Sequence, residues 1–110
     1  MPLYLMRFNY TPEAWNRLIK NPEDRRPVAR AVIEKLGGKL LGFWYAFGEH
    51  DGYVLIEAPD NASAAAFSVG ISSRGSLGSS QTTVLLTVEE TIEMLKKAQE
   101  LPYKAPGSPG

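Results

Sequence analysis

The chain has 110 residues, no cysteine, one histidine, and twelve basic side chains against twelve acidic ones. That length fits one compact domain burying roughly 65% of its unfolded surface. The composition excludes a disulfide scaffold, a thiolate metal site, a cysteine nucleophile and a polyhistidine metal centre within one chain, and zero net charge argues against bulk attraction to nucleic acid or an anionic membrane.

No segment resembles a targeting signal. Residues 1–10 are apolar and aromatic, but the run is short and Arg7 interrupts it. No stretch approaches the roughly 20 apolar residues that span a bilayer. A cytoplasmic protein with no membrane partner is expected.

The run Leu3 to Asn9 reads as a strand, uniformly apolar at Tyr4, Met6 and Phe8 and polar at Arg7 and Asn9. Thr11-Pro12-Glu13 starts a short helix reaching Lys20: a hydroxyl cap, a first-turn proline and an acid at the positive end of the dipole. Pro27 would break a helix interior, so the next helix is expected to start near Arg26. Val28, Ala29, Val32, Ile33 and Leu36 form its apolar stripe, and Gly37-Gly38 ends it.

Lys39 to Phe47 is apolar on both sides and reads as a strand with both faces covered. A tight turn over Gly48 to Gly52 leads to the return strand Tyr53 to Ala58. Pro59-Asp60-Asn61 caps a helix expected to bury Ala62, Ala65, Ala66 and Val69. Gly70 to Ser80, rich in serine and glycine, reads as a loop. Gln81 to Val88 reads as the last strand, and Thr87 to Glu90 fits a capping box opening a helix with Ile92, Leu95 and Ala98 inward. Residues 101–110 read as a disordered tail, leaving residues 1–100 as a single domain.

The order is strand, helix, strand, strand, helix, strand, plus a final helix. That is the α+β ferredoxin-like sandwich with sheet order 4-1-3-2 and right-handed crossovers. The first and third strands are expected to be central and parallel, in a sheet otherwise antiparallel. With the helices on one face, the other carries Leu3, Leu5, Arg7 and Asn9, with Tyr53, Leu55 and Glu57, and Thr83, Leu85 and Thr87. The second strand adds either Leu41, Phe43, Tyr45 and Phe47 or the alternate set with Trp44, because the hairpin register is open. Such a face is too apolar for water, and a second copy is expected to cover it. Arg7 and Glu57 are expected to pair there.

The chain from Pro2 to about Glu93 resembles the GYD-domain family of small bacterial and archaeal proteins. The resemblance rests on residues 5–13 (Leu5-Met6-Arg7-Phe8-Asn9-Tyr10-Thr11-Pro12-Glu13), on Leu36-Gly37-Gly38-Lys39-Leu40, and on residues 43–51 from Phe43 to Asp51. It implies a dimeric α/β-barrel type of ferredoxin-like fold. His50 stands where the family commonly has tyrosine, so a tyrosine-specific role there is not carried over.

His50, flanked by Glu49 and Asp51, is the most reactive-looking cluster. His50 and Asp51 are the candidate catalytic pair, although neighbours at a turn point apart and solvated turn-shaping is the competing reading. Arg7, Asn9, Trp44, Tyr53 and Glu57 are candidate ligand-binding residues on the uncovered face. Arg74 joins them through a loop that could hold an anion on backbone amides, although a flexible connection is the preferred reading. Residues 12–40 are net +3 and residues 41–100 net −5. The basic patch of Arg25, Arg26 and Arg30 reads as a solvated helix face rather than a nucleic-acid surface.

No cofactor is expected, and haem is disfavoured because the only histidine lies in a turn. The expected function is a homodimer or higher homo-oligomer binding a small apolar or aromatic molecule between sheet and partner subunit. The alternatives are a cofactor-independent enzyme, of monooxygenase, cyclase or isomerase type, and a purely structural assembly module.

Overall fold

The computed structural model describes residues 1–107 and residue 109. The chain runs β1 (Leu3–Tyr10), α1 (Pro12–Lys20), α2 (Arg26–Lys35), β2 (Lys39–Tyr45), β3 (Gly52–Glu57), α3 (Asn61–Ser72), β4 (Leu77–Leu85) and α4 (Val88–Gln99). The four strands form one sheet in the order β2-β3-β1-β4, the expected α+β ferredoxin-like order seen from the other edge.

Every neighbouring pair is antiparallel, including β1 with β3. The expectation of parallel central strands is corrected. The helical crossover returns β2 in the direction of β1, and the hairpin then reverses β3 before it slots between them.

The core lies under α2 and α3. Tyr4, Met6 and Phe8 from β1 and Val54 and Ile56 from β3 meet Ala29 and Ile33 of α2 and Ala64 and Phe67 of α3, all buried. Burying the larger of these side chains stabilises the fold by about 1.5–3 kcal/mol each. Local signals set the helix ends. Thr11 Oγ1 accepts the amide of Ala14 at 3.2 Å. Asp60 Oδ1 accepts that of Ser63 at 2.8 Å. Thr87 and Glu90 form the reciprocal capping box at 2.9 and 3.0 Å.

Several elements differ from their sequence expectations. β2 ends at Tyr45 and is an edge strand, so Leu41, Trp44 and Tyr45 are about half exposed and Phe47 lies outside it. α3 buries Ala64 and Phe67, whereas Ala62, Ala65, Ala66 and Val69 face outward. The stretch 70–80 is mostly regular: α3 runs to Ser72 and β4 begins at Leu77, with only a short turn between. β4 gains its place by backbone pairing with β1 and by hydroxyls directed at α3. Ser68 meets Thr82 at 2.6 Å, and Ser72 meets Ser80 at 3.1 Å.

α4 buries none of its residues. Ile92 and Leu95, expected inward, remain 49% and 55% exposed. The Cα radius of gyration is 18.4 Å, against about 13 Å for a compact chain of this length. The excess reflects a molecule 66 Å long and only 21 Å thick. Among the tail residues, Ser108 and Gly110 lie outside the described residues. No helix is long and apolar enough to cross a membrane among the described residues.

Candidate functional site: an apolar cavity with a basic rim

The alternation of β1 and β3 sends Met6, Phe8 and Val54 toward the helices. Phe43 joins them because β2 pairs Phe43 with Val54 and Trp44 with Tyr53. The helix layer covers this surface incompletely. A cavity of about 310 Å³ remains between the sheet, α2 and α3. Met6, Phe8, Phe43 and Val54 line it from the sheet, and Val32, Phe67 and Ile71 line it from the helices. The polar groups lining it are Tyr10, Arg25, Arg74 and Ser76.

Tyr10 sits in an aromatic cluster. Its ring lies 5.0 Å from those of Phe8 and Trp15, edge to face. Its hydroxyl is 3.0 Å from that of Tyr45. Burial pushes its pKa well above the ordinary tyrosine value, the bond to Tyr45 adds to the rise, and the nearby Arg25 guanidinium opposes it. Tyr10 is therefore a neutral hydroxyl at any physiological pH.

Arg25 is the N-cap of α2 and its side chain caps no amide; Asp24 Oδ1 instead accepts the Arg26 amide at 2.9 Å. Arg25 Nη1 lies 2.7 Å from Glu23 Oε1. Arg74, just past the end of α3, forms no salt bridge among the described residues. Sequence reasoning points to Arg74 but misses Arg25 and Tyr10. The available signal is the basic patch at the start of α2, which by composition alone reads as a solvated face.

The remaining candidates lie elsewhere. Asp51 is a structural knot. Its Oδ2 accepts the amide of Tyr10 at 3.0 Å and the indole N–H of Trp15 at 3.1 Å. Its own amide donates to the Phe8 carbonyl and to Asn9 Oδ1, both at 2.9 Å. Asn9 also donates to Ser79 Oγ at 3.1 Å. The β2–β3 turn is thereby fixed to β1 and α1. His50 is half-buried with its ring 6.0 Å from that of Tyr53. Its Nδ1 is buried without a hydrogen-bond partner.

Arg7, Tyr53, Glu57 and Trp44 share the face of the sheet that no helix covers. The register puts Arg7 opposite Tyr53 and Glu57 opposite Leu3. Arg7 and Glu57 are therefore four residues out of step, about 13 Å apart along the strand, and the expected pair is absent. Arg7 Nη2 instead donates to Thr83 Oγ1 at 2.8 Å, and its buried Nε has no partner. A bulge between Leu40 and Gly42 sets the parity of β2, and Trp44 lies back across Gly42. The structure therefore divides the six ligand candidates. Arg74 lines the cavity, Arg7, Trp44, Tyr53 and Glu57 lie on the open face, and Asn9 is engaged with Asp51.

Comparison with known proteins fits this architecture. A relative from Thermus thermophilus, named glutamine synthetase and cystathionine beta-lyase binding protein, is 27% identical over 96 residues, 87% of this chain and 100% of its own. The crystal structure of FFRP-DM1 superposes with a TM-score of 0.50 at 14% identity, covering 78% of this chain and 100% of that one. MtbAldR superposes with a TM-score of 0.54 at 15% identity, covering 96% of this chain, which spans 58% of that longer protein. These two structures share the fold. The family model described as GYD domain matches residues 4–95, more than half of the chain, and the chain belongs to the GYD domain family.

Proposed function

We propose that this protein is a homo-oligomeric module that binds a small apolar or aromatic molecule. The observation that carries the reading is the cavity of about 310 Å³ between the sheet and helices α2 and α3. That volume lies at the small end of the roughly 300–1,000 Å³ of ligand pockets, and apolar walls with a few polar groups are their usual construction. The ligand reading of the sequence is kept, but its location moves from the open sheet face to the helix side.

Assembly is supported by the other face of the sheet. Leu3, Leu5, Leu55 and Leu85 are half-buried there beside Arg7, and the Arg7 Nε and His50 Nδ1 atoms lack partners. A second copy laid on this face removes apolar surface from water.

Native mass spectrometry of the purified protein tests both parts. The expected result is an even-numbered homo-oligomer that carries a small molecule, which Val32→Trp displaces by filling the cavity. A monomer at micromolar concentration overturns the assembly. A protein that retains nothing and does not bind 1-octanol overturns the cavity reading.

A second reading is favoured by the Thermus relative, whose name records binding to two enzymes. On this reading the exposed apolar side of α4, with Ile92 and Leu95, engages an enzyme such as glutamine synthetase. Pull-down of glutamine synthetase by the wild type but not by Ile92→Glu supports it. Equal recovery by both, or none by either, overturns it.

A further inference from the structure

We infer that the cavity takes a small amphipathic monocarboxylate, its apolar body against Phe8, Phe43 and Phe67 and its carboxylate between Arg25 and Arg74. The inference rests on the reading of the cavity as a ligand site and adds the chemical class of the ligand.

The charges around the cavity have one sign. Arg25 and Arg74 line it, and no Asp or Glu does. One of the two guanidinium charges is already matched by Glu23 at 2.7 Å. A single added negative charge therefore balances the rim, and a second would exceed it.

Geometry favours a carboxylate. Guanidinium groups bind carboxylates through paired N–H donors, which a neutral alcohol cannot reciprocate. Arg25 uses Nη1 for Glu23 and keeps further donors. Arg74 is exposed and its side chain has no ion-pair partner among the described residues. The Tyr10 hydroxyl adds a neutral donor or acceptor along the same wall.

Size limits the body. At about 30 Å³ for each water-sized group, the cavity accommodates roughly ten non-hydrogen atoms. Octanoate has that many, and 1-octanol is its neutral counterpart of nearly equal length.

Calorimetric titration of the full chain with octanoate and with 1-octanol is the test. Octanoate is expected to bind about tenfold or more tightly than 1-octanol. Arg25→Met and Arg74→Met are each expected to weaken octanoate by about tenfold while leaving 1-octanol unchanged, which also reports that the cavity is intact. Equal affinity for the two probes overturns the carboxylate assignment and leaves the apolar cavity standing. Octanoate binding that survives both substitutions does the same. Failure of both probes overturns the cavity reading itself, and the assignment with it.

Discussion

The indole N–H of Trp15 donates to Asp51 Oδ2 at 3.1 Å, so a residue in the first helix holds the turn between two strands more than thirty positions later. The same oxygen accepts the Tyr10 amide. The carboxylate thus joins α1, the end of β1 and the β2–β3 turn.

Removing that carboxylate strands two donors. Asp51→Ala is expected to cost about 2–4 kcal/mol, since hydrogen bonds to charged groups contribute about 1.5–3 kcal/mol each and do not add fully. Asp51→Asn keeps an acceptor oxygen and is expected to cost less than half as much. Urea unfolding followed by tryptophan fluorescence measures both.

Two glycines are expected to respond in opposite directions. Gly70 lies inside α3, where an added Cβ meets nothing within 4 Å. Gly70→Ala is expected to stabilise by about 0.5–1 kcal/mol, the usual helix-interior difference. Gly38 approaches its neighbours closely, and a Cβ there would fall 2.2 Å from the Glu57 carbonyl oxygen. Gly38→Ala must move backbone and is expected to destabilise by about 1–3 kcal/mol. Thermal melts of the two variants provide the comparison.

Asp24 gives a pH signature at the start of α2. Its carboxylate accepts the Arg26 amide at 2.9 Å and pairs with the Arg26 guanidinium at 2.7 Å. The Arg26 side chain is the main cause that holds the Asp24 pKa down at about 2, from an ordinary 3.8, with the backbone bond next. A depressed carboxylate contributes stability above its unfolded pKa and loses it as pH falls through the folded one. The stability difference between wild type and Asp24→Asn is therefore expected to be constant above about pH 5, to fall as pH drops toward about 2, and to vanish below it. The site is fully exposed, so the difference is small; NMR titration of the Arg26 amide resolves it directly.

Arg7 and Thr83 test the cost of an incomplete hydrogen-bond set. Thr83→Val deprives Nη2 of its acceptor in a side chain whose Nε already lacks one. That loss is expected to cost about 1–3 kcal/mol. Arg7→Met removes the unsatisfied Nε together with the Nη2 donor and is expected to stay within about 1 kcal/mol of wild type or to stabilise. Chemical denaturation of both variants at one protein concentration decides it.

Strong local patterns were legible in the sequence. The alternation Tyr4-Met6-Phe8 located the buried face of β1. Thr11, Asp60 and Thr87 marked helix starts because each supplies an oxygen to free amides. The face of α3 was not legible. Ala62, Ala64, Ala65, Ala66 and Val69 wrap the helix with apolar side chains, so only packing selects Ala64 and Phe67 for the core. The start of β4 was hidden because its Gly78-Ser79-Ser80 run has loop composition, and its strand state comes from β1. The cavity was missed for a related reason. It is a gap between layers, and its rim joins Arg25 and Arg74 from segments nearly fifty residues apart.

The projecting α4 carries a consequence for dilution. A twelve-residue helix is marginal in water without tertiary support, because nucleation is unfavourable and few bonds follow it. This one has a capping box and an i,i+4 pair between Glu93 and Lys97, contributions of about 1 kcal/mol and a few tenths. Its helicity is thus coupled to whatever surface covers Ile92 and Leu95. Amide hydrogens of α4 are expected to exchange orders of magnitude faster than those of β1 in dilute protein, and to slow as concentration rises while β1 does not change.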